Sequence, residues 1–216
     1  MVKSKTSFDS IQFAGLSWLV LERKDGKALL LKDTVIHPKN LPSFDYDLLR
    51  ISRHKKLNWE ISPYRELVKT GFYEHLPPDD KIKILLTDVK NSGVHTWFGA
   101  DGGNDTNDYA FFLSDQEVVK YFGDSGKYAK GNAQGFFSYG KVKDEYNKAR
   151  IAYSDEGKKS SWWLRTLAAV EKCPPSPAPF SDFCFVNEKG HICVHGTTAN
   201  PESDIGIRPS IWVMES

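Results

Sequence analysis

Hydrophobic positions in this chain recur in short runs broken by polar turns, the spacing of strands more than of long amphipathic helices. Ser17-Trp18-Leu19-Val20-Leu21-Glu22 and Ala28-Leu29-Leu30-Leu31-Lys32 flank Lys24-Asp25-Gly26-Lys27. Asp-Gly supplies the positive-φ residues of a tight turn, so the pattern predicts an opening β-hairpin. A second hairpin is predicted where Phe183-Cys184-Phe185-Val186 and His191-Ile192-Cys193-Val194 surround Asn187-Glu188-Lys189-Gly190, a sequence suited to a type I turn with glycine in a bulge. Ser210-Ile211-Trp212-Val213-Met214 reads as a closing strand.

Between these runs lie two helix starts. Ser62 caps a helix with Pro63 at its first position, Tyr64, Leu67 and Val68 on its apolar face, and Gly71 as its expected stop. Ser114-Asp115-Gln116-Glu117 is a capping box, with Leu113 and Val118 as the hydrophobic staple and Gly123 as the stop. Everything after this second helix reads as loops and strands. Cys173-Pro174-Pro175-Ser176-Pro177-Ala178-Pro179 lacks the donors that a helix or ladder needs and reads as a stiff connector inside the domain. Early strands, two capped helices and late strands imply an α+β fold.

Composition narrows the setting. A length of 216 residues suits one domain spanning 1–216. The formal charge of +1 gives no global field toward nucleic acid or a membrane surface, so neither is an expected partner. The start Met1-Val2-Lys3-Ser4-Lys5-Thr6 is not followed by an unbroken apolar run, and no signal peptide or spanning helix is expected. Three cysteines, an odd number in a chain too large to need disulfide staples, make a reducing cytoplasm the default, with export by another route left open.

The most distinctive phrases are Trp162-Trp163-Leu164-Arg165 and Ile205-Gly206-Ile207-Arg208-Pro209-Ser210-Ile211-Trp212. In a strand, adjacent tryptophans point to opposite faces. Trp162 is then a core residue, and Trp163 is a candidate to cap a surface or pocket. Arg165 and Arg208 build either an anionic pocket or structural pairs tying loops together; with Glu60, Arg65 and Glu117 they need partners if buried.

Taken in order with Trp18-Leu19-Val20-Leu21, Asn58-Trp59-Glu60, Arg65, Phe72, Phe111-Phe112-Leu113-Ser114, Glu117 and Gly190, these phrases resemble an uncharacterised bacterial family, domain of unknown function 6273. The resemblance runs from about Ile11 to Met214. That family is similar to C-type-lectin-like domains and to the formylglycine-generating fold, in which two helices flank a twisted, mainly antiparallel sheet with long loops. The resemblance implies paired first and last strands, with Trp18 to Glu22 beside Ser210 to Met214. Trp162, Arg165, Arg208, Pro209 and Trp212 are its structural signature. It also implies a binding or accessory role.

Candidate chemistry is sparse. His191, Cys193 and His195 alternate along one strand face, and Cys184 on the neighbouring strand completes a set suited to zinc; against it, no Cys-x-x-Cys anchors the site, and Cys193 equally suits a small core residue. Cys184 and Cys193 are also the candidates for the copper-holding pair that the formylglycine-generating resemblance would need. Asp101, Asn104, Asp105, Asn107 and Asp108 form an oxygen-rich loop of the kind that holds calcium, or turns in which side chains bond their own backbone. Trp97, Phe98, Phe136, Phe137 and Tyr139 lie in glycine- and asparagine-rich segments and are candidate ligand contacts. No phosphate loop, zinc-protease motif or nucleophile elbow occurs.

The reading reached from sequence is a non-catalytic recognition module. It takes a carbohydrate or protein ligand through the loops between Asn91 and Asp108 and between Gly123 and Tyr139, and no cofactor is predicted. The competing readings are a metal- or thiol-dependent enzyme at Cys184, His191, Cys193 and His195, and an assembly component that oligomerises.

Overall fold

Two four-stranded antiparallel sheets carry the fold in the computed structural model, which describes residues 8–42, 57–91, 102–130, 141–168, 182–198 and 203–215. The first sheet has the order β1-β2-β3-β12, from Asp9–Phe13, Leu16–Lys24, Lys27–Lys32 and Ser210–Met214. Its predicted Asp25-Gly26 turn is present, with φ of 52° and 70°. The same geometry recurs at Ala14 and Gly15, φ 52° and 73°, and adds β1, which its exposed edge position hid from the hydrophobic pattern.

The closing strand pairs differently from expectation. β12 lies beside β3, Ser210 opposite Leu31 and Trp212 opposite Leu29, and not beside Trp18 to Glu22. A strand has two edges, and those of β2 are already taken by β1 and β3. The far edge of β12 is covered as well: Leu85 N–H donates to the Trp212 carbonyl at 2.8 Å, and Ser210 N–H to that of Phe111 at 2.7 Å.

The second sheet has the order β6-β11-β10-β9, from Lys141–Val142, Ile192–Thr198, Asp182–Val186 and Trp162–Leu167. The hairpin of β10 and β11 turns where predicted. Asn187 Oδ1 accepts from Lys189 and His191 N–H, each at 3.0 Å, and Gly190 has φ 76°. A side chain at Gly190 would also collide with the Asn147 carbonyl. Two short ribbons complete the strands: β4 with β5, Thr87–Val89 and Thr106–Asp108, and β7 with β8, Ala152–Tyr153 and Lys159–Ser160.

Helix α1 (Pro63–Glu66) is capped by Ser62, whose Oγ accepts from Tyr64 N–H at 3.0 Å. It does not stop at Gly71. It runs on through a π turn, Leu67–Phe72, and a 3-10 turn, Tyr73–His75. Gly71 is buried, and a Cβ there would sit 3.2 Å from the Pro42 carbonyl, so the glycine permits close packing instead of capping. After α2 (Pro78–Lys81), α3 (Asp115–Phe122) shows both halves of the capping box and ends at Gly123.

Two further turns, α4 (Lys127–Lys130) and α5 (Asn147–Arg150), follow where only loops and strands were expected. Four residues are too few to show a helical period. α5 is anchored by Arg150, which is fully buried against an equally buried Asp144 at 3.0 Å. The architecture is thus α+β, with short helices and several antiparallel sheets. Among the described residues no helix is long and apolar enough to cross a membrane.

The core is aromatic. Trp18, Trp59, Tyr64, Phe112, Phe122, Trp162, Trp163 and Phe183 are at most 1% exposed. All six residues of β9 are buried, so the strand is covered on both faces. Each large apolar side chain taken fully from water stabilises the fold by roughly 1.5–3 kcal/mol.

Candidate functional site

The two signature phrases meet each other through Trp162, Trp163 and Gly206, and their arginines bond to protein, while Trp163 Nε1, Arg165 Nε, Arg208 Nη1 and Ser210 Oγ are buried without a hydrogen-bond partner among the described residues. Trp162 and Trp163 point to opposite faces, as expected, but both are completely buried. Trp163 packs 5.1 Å from Tyr64 and 5.9 Å from Phe185, ring centroid to centroid, so it is a core residue and not the surface contact expected of it. On the other face Trp162 meets Phe122, and the Arg208 guanidinium lies 5.2 Å over its ring. Arg208 donates to the carbonyls of Lys32 and Asp33 at 2.8 and 3.0 Å. Burial pulls its pKa down to about 10. Gly206, which bridges Trp162, lets this segment close: a Cβ there would approach the Ile36 carbonyl to 2.7 Å. Lys32 N–H donates to the Pro209 carbonyl, and Trp212 lies in β12.

Arg165 forks across three elements. It donates to the Phe112 carbonyl at 2.7 Å, to the Lys90 carbonyl at 3.1 Å and to both oxygens of Glu117, the capping-box carboxylate. The arginines therefore act as ties between loops. The reading of them as an anion pocket gives way to the bonds they already make.

The oxygen-rich loop is likewise occupied by donors. Asp108 is 9% exposed and accepts from Trp59 Nε1 at 3.0 Å, Arg65 Nε at 2.7 Å and Thr106 Oγ1 at 2.7 Å. Asp105 accepts from Lys90 Nζ and Asn91 N–H, and Asn104 donates to Glu60. Asp101 lies outside the described residues, as do Trp97, Phe98, Phe136, Phe137 and Tyr139.

On the β10–β11 hairpin, Cys193 pairs across the ladder with Phe185, so Cys184, the next residue to Phe185, projects from the other face. Neither is in a disulfide. Cys184 is fully buried, within 3.7 Å of the Leu167 carbonyl and 3.6 Å of that of Val194. Burial pushes the Cys193 thiol up to about 12, opposite to the shift of an activated nucleophile. Burial first, then nearby lysines, lowers the pKa of His191. The His195 side chain is outside the description. Among the described residues no group of three or more His, Cys, Asp or Glu side chains is placed to hold a metal ion.

An open concave site appears elsewhere. The apolar face of the α1 segment, with Tyr64, Leu67, Val68 and Phe72, packs into the core, leaving Glu66, Lys69 and Glu74 exposed. Facing them, β5 leads from Asp108 into Tyr109. Between the two lies a cavity of about 320 Å³ whose wall includes Arg65, Tyr73, Leu86 and Tyr109. The Tyr73 and Tyr109 rings are stacked, centroids 4.8 Å apart and planes within 1°. Tyr109 remains 40% exposed and Leu86 56%. The Arg65–Asp108 pair forms the buried side of the wall. Burial, with Tyr109 adding to it, raises the Tyr73 phenol, so it stays protonated.

Leu86 also borders a neighbouring groove of about 410 Å³ between Trp212, Lys24 and Lys27. A third cleft of about 590 Å³, lined mostly by polar and charged residues with Val35, lies beside β7 and β8. Its Asp155 and Glu156 are already engaged by Thr34 and Lys158.

A family model, domain of unknown function 6273 (DUF6273), matches residues 25–215. The chain belongs to that family. No curated protein and no solved structure matches it. Within this DUF6273 chain, the double-tryptophan and arginine-proline phrases are scaffold, and of the residues singled out by sequence only Arg65, Asn107 and Asp108 line the cavity. Tyr73 and Tyr109 were missed because neither belongs to a motif. The available signal was an aromatic on the polar stripe of a helix, since Tyr73 follows Glu66 and Lys69 at helical spacing.

Proposed function

We propose that this chain is a non-catalytic recognition module that seats a carbohydrate or protein ligand at the Tyr73–Tyr109 cavity, where the loop from Asn91 to Asp108 returns to the body of the fold. The observation that carries this reading is a contrast in exposure: Trp162 and Trp163 of the signature phrases are fully buried and Trp212 is partly buried, while Tyr109 stands 40% exposed at the wall of a cavity. Aromatics at such positions supply contact area at little entropic cost, with a hydroxyl for orientation.

A C-type-lectin-like arrangement belongs to the same proposal. Supporting it is the closure of the fold by β12 against the N-terminal hairpin, even though its partner is β3. The reading is tested by a glycan and peptide screen with the wild-type chain and Tyr109→Ala. Ligands that bind the first and not the second support it; ligands indifferent to Tyr109 refute it.

A further inference from the structure

The edges of the two main sheets are treated differently. An edge strand offers a row of unpaired N–H and C=O groups to any strand that approaches, and folds usually cover, shorten or charge it. β12 is covered by Leu85 and Phe111. β9 is covered by Gly206 and Leu113, whose carbonyls accept from Trp163 and Arg165 N–H, each at 3.0 Å. β6 is two residues long and carries the exposed Lys141. β1 has none of these protections.

Its hairpin with β2 decides which groups that edge presents. Ala14 and Gly15, both at positive φ, form a two-residue turn, so Phe13 and Leu16 exchange main-chain bonds, as do Ile11 with Trp18 and Asp9 with Val20. The Ser17 carbonyl, which accepts from Asp33 N–H at 3.0 Å and so points toward β3, fixes the same phase. Ser10 and Gln12 therefore aim their N–H and C=O away from the sheet. Both residues are exposed, and among the described residues nothing bonds to those main-chain groups. β1 contains no proline or lysine, and its register against β2 runs without a bulge. Its one charged side chain, Asp9, is already bonded to Arg23 at 3.0 Å.

The edge is complementary to itself. Turned about a two-fold axis through Ile11, β1 sets Ser10 opposite Gln12 of a second copy, and Gln12 opposite its Ser10, so that each pair exchanges both main-chain bonds. Ile11 then meets its own counterpart at the closer, non-hydrogen-bonded spacing of about 4.5 Å between Cα atoms. Ile11 and Phe13 share one face of the strand and are only partly buried against the core, so the pairing covers apolar area that a single copy leaves open. Asp9 falls opposite Phe13 of the second copy, and no like charges meet across the seam.

We propose that β1 is a self-association edge: two copies of this chain pair antiparallel through Ser10, Ile11 and Gln12 and join their four-stranded sheets into one continuous sheet. A seam of five residues is short, in the range of weak and reversible association. Ligand recognition at Tyr109 is not required for this pairing.

Sedimentation equilibrium of the full chain from about 10 µM to about 1 mM measures the association, and amide hydrogen exchange locates it. The wild type is expected to pass from monomer toward dimer over that range, with the Ser10 and Gln12 amides exchanging more slowly as concentration rises. Ser10→Pro removes an outward donor that β2 does not use, a position where an edge strand tolerates proline. Ser10→Lys combined with Gln12→Lys, at two exposed positions, sets like charges directly opposite each other across the axis. Each variant is expected to weaken dimerisation about tenfold or more while the melting temperature of the dilute monomer moves little. The lysine variant should regain association as salt rises from about 0.05 M to about 0.5 M.

A chain that stays monomeric to about 1 mM would overturn the pairing of two copies and leave the edge to a strand of another protein. A dimer that survives both variants, or that leaves the Ser10 and Gln12 amides unprotected, would put the interface elsewhere and overturn it as well.

Discussion

Arg208 and Tyr109 stand for two regions of one molecule that solve opposite problems. Arg208 is a cation with no water, held by two carbonyls and the face of Trp162. Tyr109 is an aromatic with water on one side, stacked on a partner but not enclosed. In the first region the polar groups are turned inward onto protein; in the second, Glu66, Lys69 and Glu74 are turned outward. The difference teaches that an unusual phrase in a sequence reports an unusual packing demand. A binding surface needs only ordinary residues, placed by the fold at a concave edge.

The comparison breaks most visibly if the scaffold side is weak. Trp162→Ala is expected to lose about 3–5 kcal/mol, since it empties a core site and removes the platform beneath Arg208. A loss under about 1 kcal/mol in urea unfolding would show that the signature is not scaffold. Arg165→Lys removes a planar fork that serves two carbonyls and a carboxylate at once. The expected loss is about 1–3 kcal/mol, and an unchanged unfolding midpoint would reject the tie between loops.

A pH series sharpens the same side. Burial raises the carboxyl of Asp115, against the lowering effect of its bonds from Tyr128 and Thr166. A raised folded-state pKa favours the protonated form. Its stabilising contribution is complete below the unfolded value of about 3.9 and is lost as pH rises through the folded value. Relative to Asp115→Asn, the wild type should therefore lose stability as pH rises from about 4 toward neutrality. A difference between the two that stays constant with pH would contradict the burial of a charged carboxylate there.

Much of the scaffold was legible in the sequence, because its signals are local. Asp25-Gly26 and Asn187 to Gly190 specify turns through allowed φ, and Ser114 with Glu117 specifies a helix start through two reciprocal bonds. Where partners lie far apart the sequence was silent. Nothing near Ser210 distinguishes β3 from β2 as its neighbour, because both are apolar and either pairing buries Trp212 in part. Gly71 carried a stop signal that close packing against Leu41 and Pro42 explains differently. The cavity was least legible of all. Tyr73 and Tyr109 lie 36 positions apart, and only the tertiary fold stacks them.

On the open side the expected stability effects are small. Glu74→Gln should stay within about 0.5 kcal/mol of the wild type, and Tyr109→Ala should lose about 0.5–1.5 kcal/mol with its stack on Tyr73. Their effect belongs to binding instead. The most direct measurement is therefore the affinity of a ligand from the glycan and peptide screen for the wild type and for Tyr109→Ala, with melting temperatures recorded together. A loss of about tenfold or more in affinity, with a melting temperature lowered by no more than the lost Tyr73 stack implies, is the predicted result. Affinity that survives Tyr109→Ala, in a chain that is still folded, would contradict the placement of recognition at this cavity.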